Sequence, residues 1–127
     1  MKNLNYQTGK IGESIAREFL QNKGYQVIQS NFHTRFGEID LIASIDNRLI
    51  FVEVKLKTGE DFGTPEEMVN HQKLTQIQKM AEVFIQSNPQ IAHNFESNQI
   101  DAVCIVLNPD ETVKRINHWE SLTNEME

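Results

Sequence analysis

Residues 37–57 read GEIDLIASIDNRLIFVEVKLK and consist of two strand-like runs joined by a short turn signal. The runs over residues 38–44 and 49–57 are rich in aliphatic and β-branched side chains, which favour extended backbone. Asp46 and Asn47, which lie between the runs, are residues that accept the left-handed backbone of tight turns. This stretch therefore predicts a β-hairpin.

A two-residue turn would set the register of this hairpin and gather charged side chains on one face. Glu53 and Lys55 lie two positions apart on a strand and therefore point the same way. In that register Asp40 lies opposite Glu53, and Glu38 lies opposite Lys55. Opposed carboxylates destabilise a sheet, but a Mg²⁺ ion between them would stabilise it, because Mg²⁺ prefers carboxylate oxygens and water. The hairpin is therefore a candidate metal site.

The rest of the chain predicts helices packed on a sheet. Apolar positions recur with helical spacing over residues 8–23, and the most apolar segment, residues 99–107, suits a strand covered on both faces. These features predict an α/β fold with a mixed central β-sheet flanked by helices. We expect a single domain over residues 1–118 and a polar C-terminal tail over residues 119–127. The remaining predicted elements are an irregular strand or two short strands over residues 25–34, a helix from an N-cap at Thr64 to about residue 87 with a break near Asn70, and a strand over residues 112–117.

Glu13 would add a metal ligand from the first predicted helix, because it lies beside Leu20 at the edge of the apolar stripe that faces the sheet. A Mg²⁺ ion bound by Glu13, Asp40 and Glu53 would activate a water molecule and neutralise charge on a phosphate. Lys55 would then hold that water or stabilise the negative charge that develops. The residues alone leave a second interpretation open, in which Lys55 pairs with the carboxylate opposite to it and the other carboxylates face solvent.

Composition and charge exclude several classes of protein. The chain has 127 residues and a net charge of −6, which argues against a protein that coats nucleic acid through a dominant positive field. Residues 96–127 hold seven acidic and two basic residues, so most of the negative charge lies there. No apolar run approaches the ~20 residues of a membrane span, and the single cysteine, Cys104, fits a buried thiol in a reducing cytoplasm. The four histidines lack zinc-ligand spacing and are expected at the surface or at caps.

The hairpin resembles that of the PD-(D/E)xK nuclease superfamily and, within it, the small bacterial YraN-type family, which is similar in fold to archaeal Holliday-junction resolvases. Asp40, followed after a strand-length gap by Glu53-x-Lys55, is the central part of this pattern. The segments that carry the resemblance are GKIGESIA (9–16), GYQVIQSNF (24–32), FGEIDLIA (36–43), LIFVEVK (49–55) and FGTPEEMV (62–69), followed by Lys73.

This resemblance implies a restriction-endonuclease-like fold and a metal-dependent DNA endonuclease, with branched or damaged DNA in repair or recombination as expected substrates. It implies that Asp40 and Glu53 are metal ligands in the catalytic site and that Lys55 is the catalytic lysine. Glu13 matches the acidic residue of the family's first helix. Mg²⁺ is the expected cofactor, with Mn²⁺ as a substitute.

Three basic residues near the hairpin are candidates for contacts with DNA phosphates, namely Arg35, Lys57 and Lys73. Lys57 stands where relatives often have arginine, which keeps the charge but loses the bidentate geometry. The related resolvases act as dimers, and a homodimer would allow both DNA strands to be cut together. An alternative function stays open, in which a catalytically inactive module uses the same fold to bind nucleic acid or a protein.

Overall fold

A computed structural model describes residues 2–123 of the chain, with side chains described from residue 8 onward. The described residues form five strands and three α-helices, and a short 3₁₀ turn precedes the second helix. In chain order they are α1 (Lys2–Asn22), β1 (Gln26–Thr34), β2 (Gly37–Ile45), β3 (Arg48–Thr58), the 3₁₀ turn (Pro65–Met68), α2 (His71–Ser87), α3 (Pro89–Ala92), β4 (Ser97–Leu107) and β5 (Val113–Trp119).

The five strands form one mixed sheet in the order β1-β2-β3-β4-β5. Neighbouring strands run antiparallel except for β3 and β4, which are parallel. The connection between this parallel pair contains the 3₁₀ turn, α2 and α3, as expected because parallel strands need a crossover that usually includes a helix. The predicted α/β fold with a mixed central sheet flanked by helices is confirmed.

Apolar side chains cover both faces of the sheet. On one face α1 packs through Ala16 and Leu20 onto alternate residues of β2, β3 and β4. On the other face α2 packs through Ile77 and Phe84 onto the intervening residues, which include Phe51 of β3. β3 is thus covered by an apolar layer on each face and flanked by a strand on each edge. Among the helices formed by the described residues, none combines the length and hydrophobicity that a bilayer-spanning segment needs.

The predicted hairpin between β2 and β3 has the expected turn and register. Asp46 and Asn47 both have positive φ angles, 48° and 66°, as a two-residue turn with left-handed backbone requires. Pairing runs from Ile45 opposite Arg48 to Leu41 opposite Val52. Beyond that last pair, β2 remains paired with β1 and β3 remains paired with β4, so in the described strands β2 and β3 separate. This separation opens a fork in the sheet at Asp40 and Glu53.

Helix boundaries differ from the prediction in ways that have local causes. The predicted N-cap, Thr64, precedes only the 3₁₀ turn, and within the described chain its side chain caps no backbone N–H. The predicted break near Asn70 is confirmed, and Asn70 is the N-cap of α2, where its side chain accepts a hydrogen bond from Lys73 N at 2.9 Å. The helix α1 extends from Lys2 rather than residue 8, and α3 was not predicted.

Candidate functional site

A cleft of about 730 Å³ lies where β2 and β3 separate. Its charged lining residues come from three elements: Lys10 and Glu13 from α1, Glu38 and Asp40 from β2, and Lys55 from β3. Asn31 of β1 also lines it. The fold therefore brings the predicted Glu13, Asp40 and Lys55 to one cleft, although they are up to 42 positions apart in sequence.

Asp40 lies where β2 and β3 separate, and its side chain takes the place of the backbone hydrogen bond that the two strands no longer form there. Its Oδ2 accepts a hydrogen bond from the backbone N–H of Val54 at 2.7 Å. Burial, and next the negative charge of Glu53, raise the pKa of Asp40 to about 7. Near neutral pH this carboxyl group is therefore poised between its two protonation states, and a nearby cation would favour the ionised form.

Glu53 is the most buried carboxylate of the predicted site, with an exposed fraction of 2%. Its Oε2 lies 3.3 Å from Lys55 Nζ and 3.4 Å from Lys73 Nζ of α2. The interpretation in which Glu53 faces solvent is therefore wrong, and so is the pairing of Lys55 with Glu38 across the hairpin. Because the ladder ends before these positions, Lys55 instead pairs with a carboxylate on its own strand.

Glu13 reaches the cleft from α1, as its position on the apolar edge of the helix predicted. Its Oε1 accepts a hydrogen bond from Asn31 Nδ2 at 3.0 Å, and its Oε2 lies 3.9 Å from Arg17. Asn31 has a positive φ of 55° within β1, which is backbone that asparagine tolerates better than most residues. The irregularity predicted for this strand thus aims a polar side chain at Glu13.

The carboxylates are close to the fork but are not assembled as a finished metal centre. Within the part of the chain whose side chains the structure describes, no three Asp, Glu, His or Cys side chains are arranged to hold a metal ion. Glu53 faces two ammonium groups, and Glu13 faces Asn31. The proposed ligand set of Glu13, Asp40 and Glu53 stays a prediction.

The three predicted DNA-binding residues occupy different positions relative to the cleft. Lys73 joins the charge cluster directly through Glu53. Arg35 lies in the turn between β1 and β2, with its guanidinium 4.9 Å from the centre of the Phe36 ring. Lys57 is not among the described residues that line the cleft, and its Nζ donates to the backbone oxygen of Phe62 at 3.3 Å. The structure thus brings Lys73 to the site and does not bring Lys57 there.

A buried polar cluster away from the cleft was not predicted. His118 has a side-chain exposure of 3%, so the expectation that the histidines lie at the surface or at caps is wrong for this residue. With a proton on Nε2, His118 donates to Asp101 Oδ2 at 2.8 Å and accepts from Lys23 Nζ at 2.7 Å on Nδ1. Asp101 also accepts from the Ser121 N–H at 3.0 Å. The available sequence signal was an aspartate within the most apolar strand, because such a residue requires a buried partner.

A second unpredicted cluster connects β5 with the segment before α2. The Arg115 guanidinium donates to Glu66 Oε2 and Glu60 Oε2, both at 2.8 Å. Trp119 Nε1 also donates to Glu66, at 3.1 Å. The hydrogen bonds from Arg115 are the largest cause that lowers the pKa of Glu66 to about 2. These contacts hold the 3₁₀ turn, whose Met68 lines the cleft, against the last strand.

A mixed sheet between helices, with acidic and lysine side chains at the fork of its central strands, defines a restriction-endonuclease-like domain. The chain belongs to the uncharacterised protein family UPF0102, whose profile matches residues 12–105. This range includes Glu13, Asp40, Glu53, Lys55 and Lys73. The resemblance to the YraN-type family is thereby confirmed.

Curated relatives match almost the whole chain. A UPF0102 protein of Caldanaerobacter subterraneus subsp. tengcongensis is 42% identical over 122 residues, which cover 93% of this chain and 96% of that protein. A UPF0102 protein of Dictyoglomus turgidum is 40% identical over 120 residues, or 94% and 97% of the two chains. One from Syntrophomonas wolfei subsp. wolfei is 36% identical over 115 residues, or 91% and 96%. These proteins carry only the family name.

Proposed function

We propose that this protein is a metal-dependent endonuclease that cleaves DNA at the fork of its sheet. One observation carries the proposal: the buried carboxylate of Glu53 forms ion pairs with two lysines and lies near Asp40, whose pKa is raised. Burying charged groups costs free energy that an apolar cluster would avoid. Such a cluster at an open cleft is therefore better explained by chemistry than by stability.

Each side chain has a role in this proposal. Asp40 and Glu53, with Glu13 from the opposite wall of the cleft, would hold Mg²⁺ or Mn²⁺ through carboxylate oxygens. The bound cation would supply charge neutralisation at the phosphate and activation of water. Lys55 would hold the attacking water or stabilise the charge that develops on phosphorus-bound oxygens. Lys73 would pair with Glu53 and provide a positive charge toward the phosphate backbone.

The substrate and assembly belong to the same proposal. Branched or damaged DNA in repair or recombination is the substrate class that the resemblance favours, and fold analogy is its warrant. A homodimer would place two such clefts on one DNA molecule. Arg35, which lies beside the cleft in the β1–β2 turn, and Lys73 would contact phosphates, whereas Lys57 would do so only beyond the cleft.

Cleavage assays on the full chain test this function directly. Duplex, single-stranded and four-way-junction DNA would be incubated with wild-type protein in Mg²⁺, Mn²⁺ or EDTA. We expect metal-dependent cleavage that falls by at least about 100-fold in Asp40→Asn and Lys55→Met, because each removes a group from the reacting centre. Lys79→Met, which changes an exposed lysine of α2, is the matched control. Cleavage that persists in EDTA, or that the two site variants retain, would contradict the proposal.

A binding module without cleavage is the second candidate. Two observations favour it. The carboxylate of Glu53 is paired with the ammonium groups of Lys55 and Lys73, and the described residues contain no assembled set of three metal ligands. Retained DNA binding by wild type, combined with no cleavage in either metal, would support this candidate over the enzyme.

A further inference from the structure

The cleft continues along the surface into two shallow depressions of about 450 and 390 Å³. Lys73 and Gln76 of α2 line both depressions. Met68 is shared by the cleft and the first depression, and Glu38 is shared by the cleft and the second. The three spaces therefore adjoin one another, and together they are called the groove. Lys55 and Lys73, which line its parts, are the two cationic partners of the buried Glu53.

Phe36 stands at the rim of this groove, between two residues that line it, Arg35 and Gly37. Its side chain is 65% exposed, so a large apolar ring contacts water, at a cost in free energy that covering it would remove. The backbone of Phe36 is nevertheless held on both sides. Its N–H donates to Thr34 Oγ1 at 3.1 Å, and its carbonyl oxygen accepts from Gln76 Nε2 at 3.2 Å. The ring is thus presented to solvent by a fixed turn.

Cationic side chains lie near the Phe36 ring. The Arg35 guanidinium packs 4.9 Å from the ring centre, and Lys73 lines the same depression. Glu38 lies where the depression meets the cleft, and Lys10 and Lys55 line the cleft beyond it, so positive side chains occur in both parts of the groove. An exposed aromatic ring beside cations is the arrangement by which proteins stack bases and neutralise the phosphates between them.

We propose that Phe36 stacks on an unpaired base and that the groove receives a single-stranded segment of DNA. In a duplex the faces of interior bases are covered by their neighbours, so a protruding ring must first unstack a base step, whereas an unpaired base offers its face without that cost. Arg35 and Lys73 would contact the adjacent phosphates. This inference rests on the proposed function and specifies its substrate: DNA in which unpaired nucleotides adjoin the scissile strand.

Binding measurements separate this inference from catalysis. The full chain with Asp40→Asn, which blocks the proposed cleavage, would be titrated with fluorescein-labelled 15-nucleotide oligo(dT) and with a matched duplex, and anisotropy would be recorded. We expect Phe36→Ala to weaken binding of the single strand about tenfold and binding of the duplex less than about twofold. Phe36→Trp should restore single-strand binding, because indole presents a larger stacking surface.

Phe62→Ala is the matched control. Phe62 is a second exposed phenylalanine, 97% accessible. Its chain neighbours Asp61 and Gly63 are not among the described residues that line the groove, whereas both neighbours of Phe36 are. We expect this variant to bind both probes as the parent does. A 2-aminopurine placed within the oligonucleotide should also lose fluorescence on binding the parent and keep more of it with Phe36→Ala.

Three outcomes would overturn the inference: Phe36→Ala binds the single strand as tightly as its parent, it loses affinity for both probes equally, or the parent binds neither probe. Thermal unfolding of Phe36→Ala verifies that the fold is intact, which we expect because the ring is exposed. The inference and the proposed function fail separately, since the first depends on binding to the Asp40→Asn protein and the second on metal-dependent cleavage by wild type.

Discussion

Asp40 couples the chemistry of the cleft to the stability of the fold. Its pKa is about 7 in the folded protein and 3.8 as the unperturbed value, with burial as the largest cause. The folded state therefore retains a proton that the unfolded chain loses as pH rises from about 4 to 7, so this residue lowers the free energy of unfolding over that interval. Above pH 7 the full destabilisation is present.

Asp40→Asn should remove this pH dependence and stabilise the protein at alkaline pH. Asparagine keeps an oxygen that can accept from Val54 N–H but carries no charge beside Glu53. Since one pKa unit corresponds to about 1.4 kcal/mol, the stability difference between variant and wild type should grow by about 2–4 kcal/mol between pH 4 and pH 8. Urea unfolding at both pH values measures it. Asp61→Asn, in an exposed loop, is the control, and equal pH dependence in Asp40→Asn and wild type would refute the prediction.

Glu53 gives a second prediction at the scale of single residues. Lys73→Met should destabilise the protein by about 1–3 kcal/mol, because it leaves a buried carboxylate with one of its two cationic partners. The same change in a Glu53→Gln background should cost less, since the buried charge is gone. A double-mutant cycle from urea unfolding gives the coupling energy. Lys79→Met provides the baseline for an exposed lysine, and a coupling energy of zero would show that the ion pair contributes nothing.

Among the structural elements, the β2–β3 hairpin shows which features the sequence predicts and which it does not. Alternating side chains and the Asp46-Asn47 turn were sufficient for the register from Ile45–Arg48 to Leu41–Val52. They contain no information on where pairing ends, because the alternation of side chains is the same in paired and separated strands. The fork at Asp40 depends on the other partners of β2 and β3, which are set by the whole sheet.

Contacts between distant elements explain the other differences. The buried Glu53 pairs with Lys73 of α2, which lies twenty positions further along the chain. The position of Lys73 depends on where α2 begins, and α2 begins after the N-cap Asn70 rather than after the expected cap at Thr64. His118 is buried because Asp101 of the adjacent strand needs a donor. Spacing along the chain carries no signal for such pairs, whereas the side chains that lie on one strand or helix could be assigned.

The link between β5 and the 3₁₀ turn should control how firmly one wall of the cleft is held. Arg115→Met removes the hydrogen bonds to Glu60 and Glu66 while keeping much of the side-chain volume. We expect amide hydrogen exchange over residues 59–69 to accelerate about fivefold, with little change in β3, because a network of partly exposed ion pairs stabilises a segment only locally. Lys114→Met, a more exposed neighbour that contacts Glu60, should have a smaller effect. Uniform acceleration across the sheet would instead indicate a global role for Arg115.

In the molecule as a whole, two apolar layers hold the sheet together although β2 and β3 separate at the end that carries Asp40 and Glu53. The layers bury residues such as Phe51 on one face and Val52 on the other, and this packing keeps β3 in place as it passes the fork. The apolar residues that stabilise the fold thus also fix the buried or partly buried positions of the Asp40 and Glu53 carboxylates. A divalent cation at this point would compensate a charge that the fold already encloses, so its binding should appear as a gain in global stability.

Mg²⁺ should therefore raise the melting temperature of the protein at pH 8 and have much less effect at pH 5.5. At free Mg²⁺ about ten times above Kd, linkage predicts about 1.4 kcal/mol, or a few degrees in Tm for a domain of this size. Below pH 7 the proton on Asp40 competes with the cation, because a carboxyl ligand must be ionised to bind. Differential scanning calorimetry measures the shift, and KCl at equal ionic strength corrects for screening. Asp40→Asn and Glu53→Gln should abolish it; a shift that survives in both variants, or that KCl reproduces, would place the cation elsewhere and remove the thermodynamic basis for a metal site at the fork.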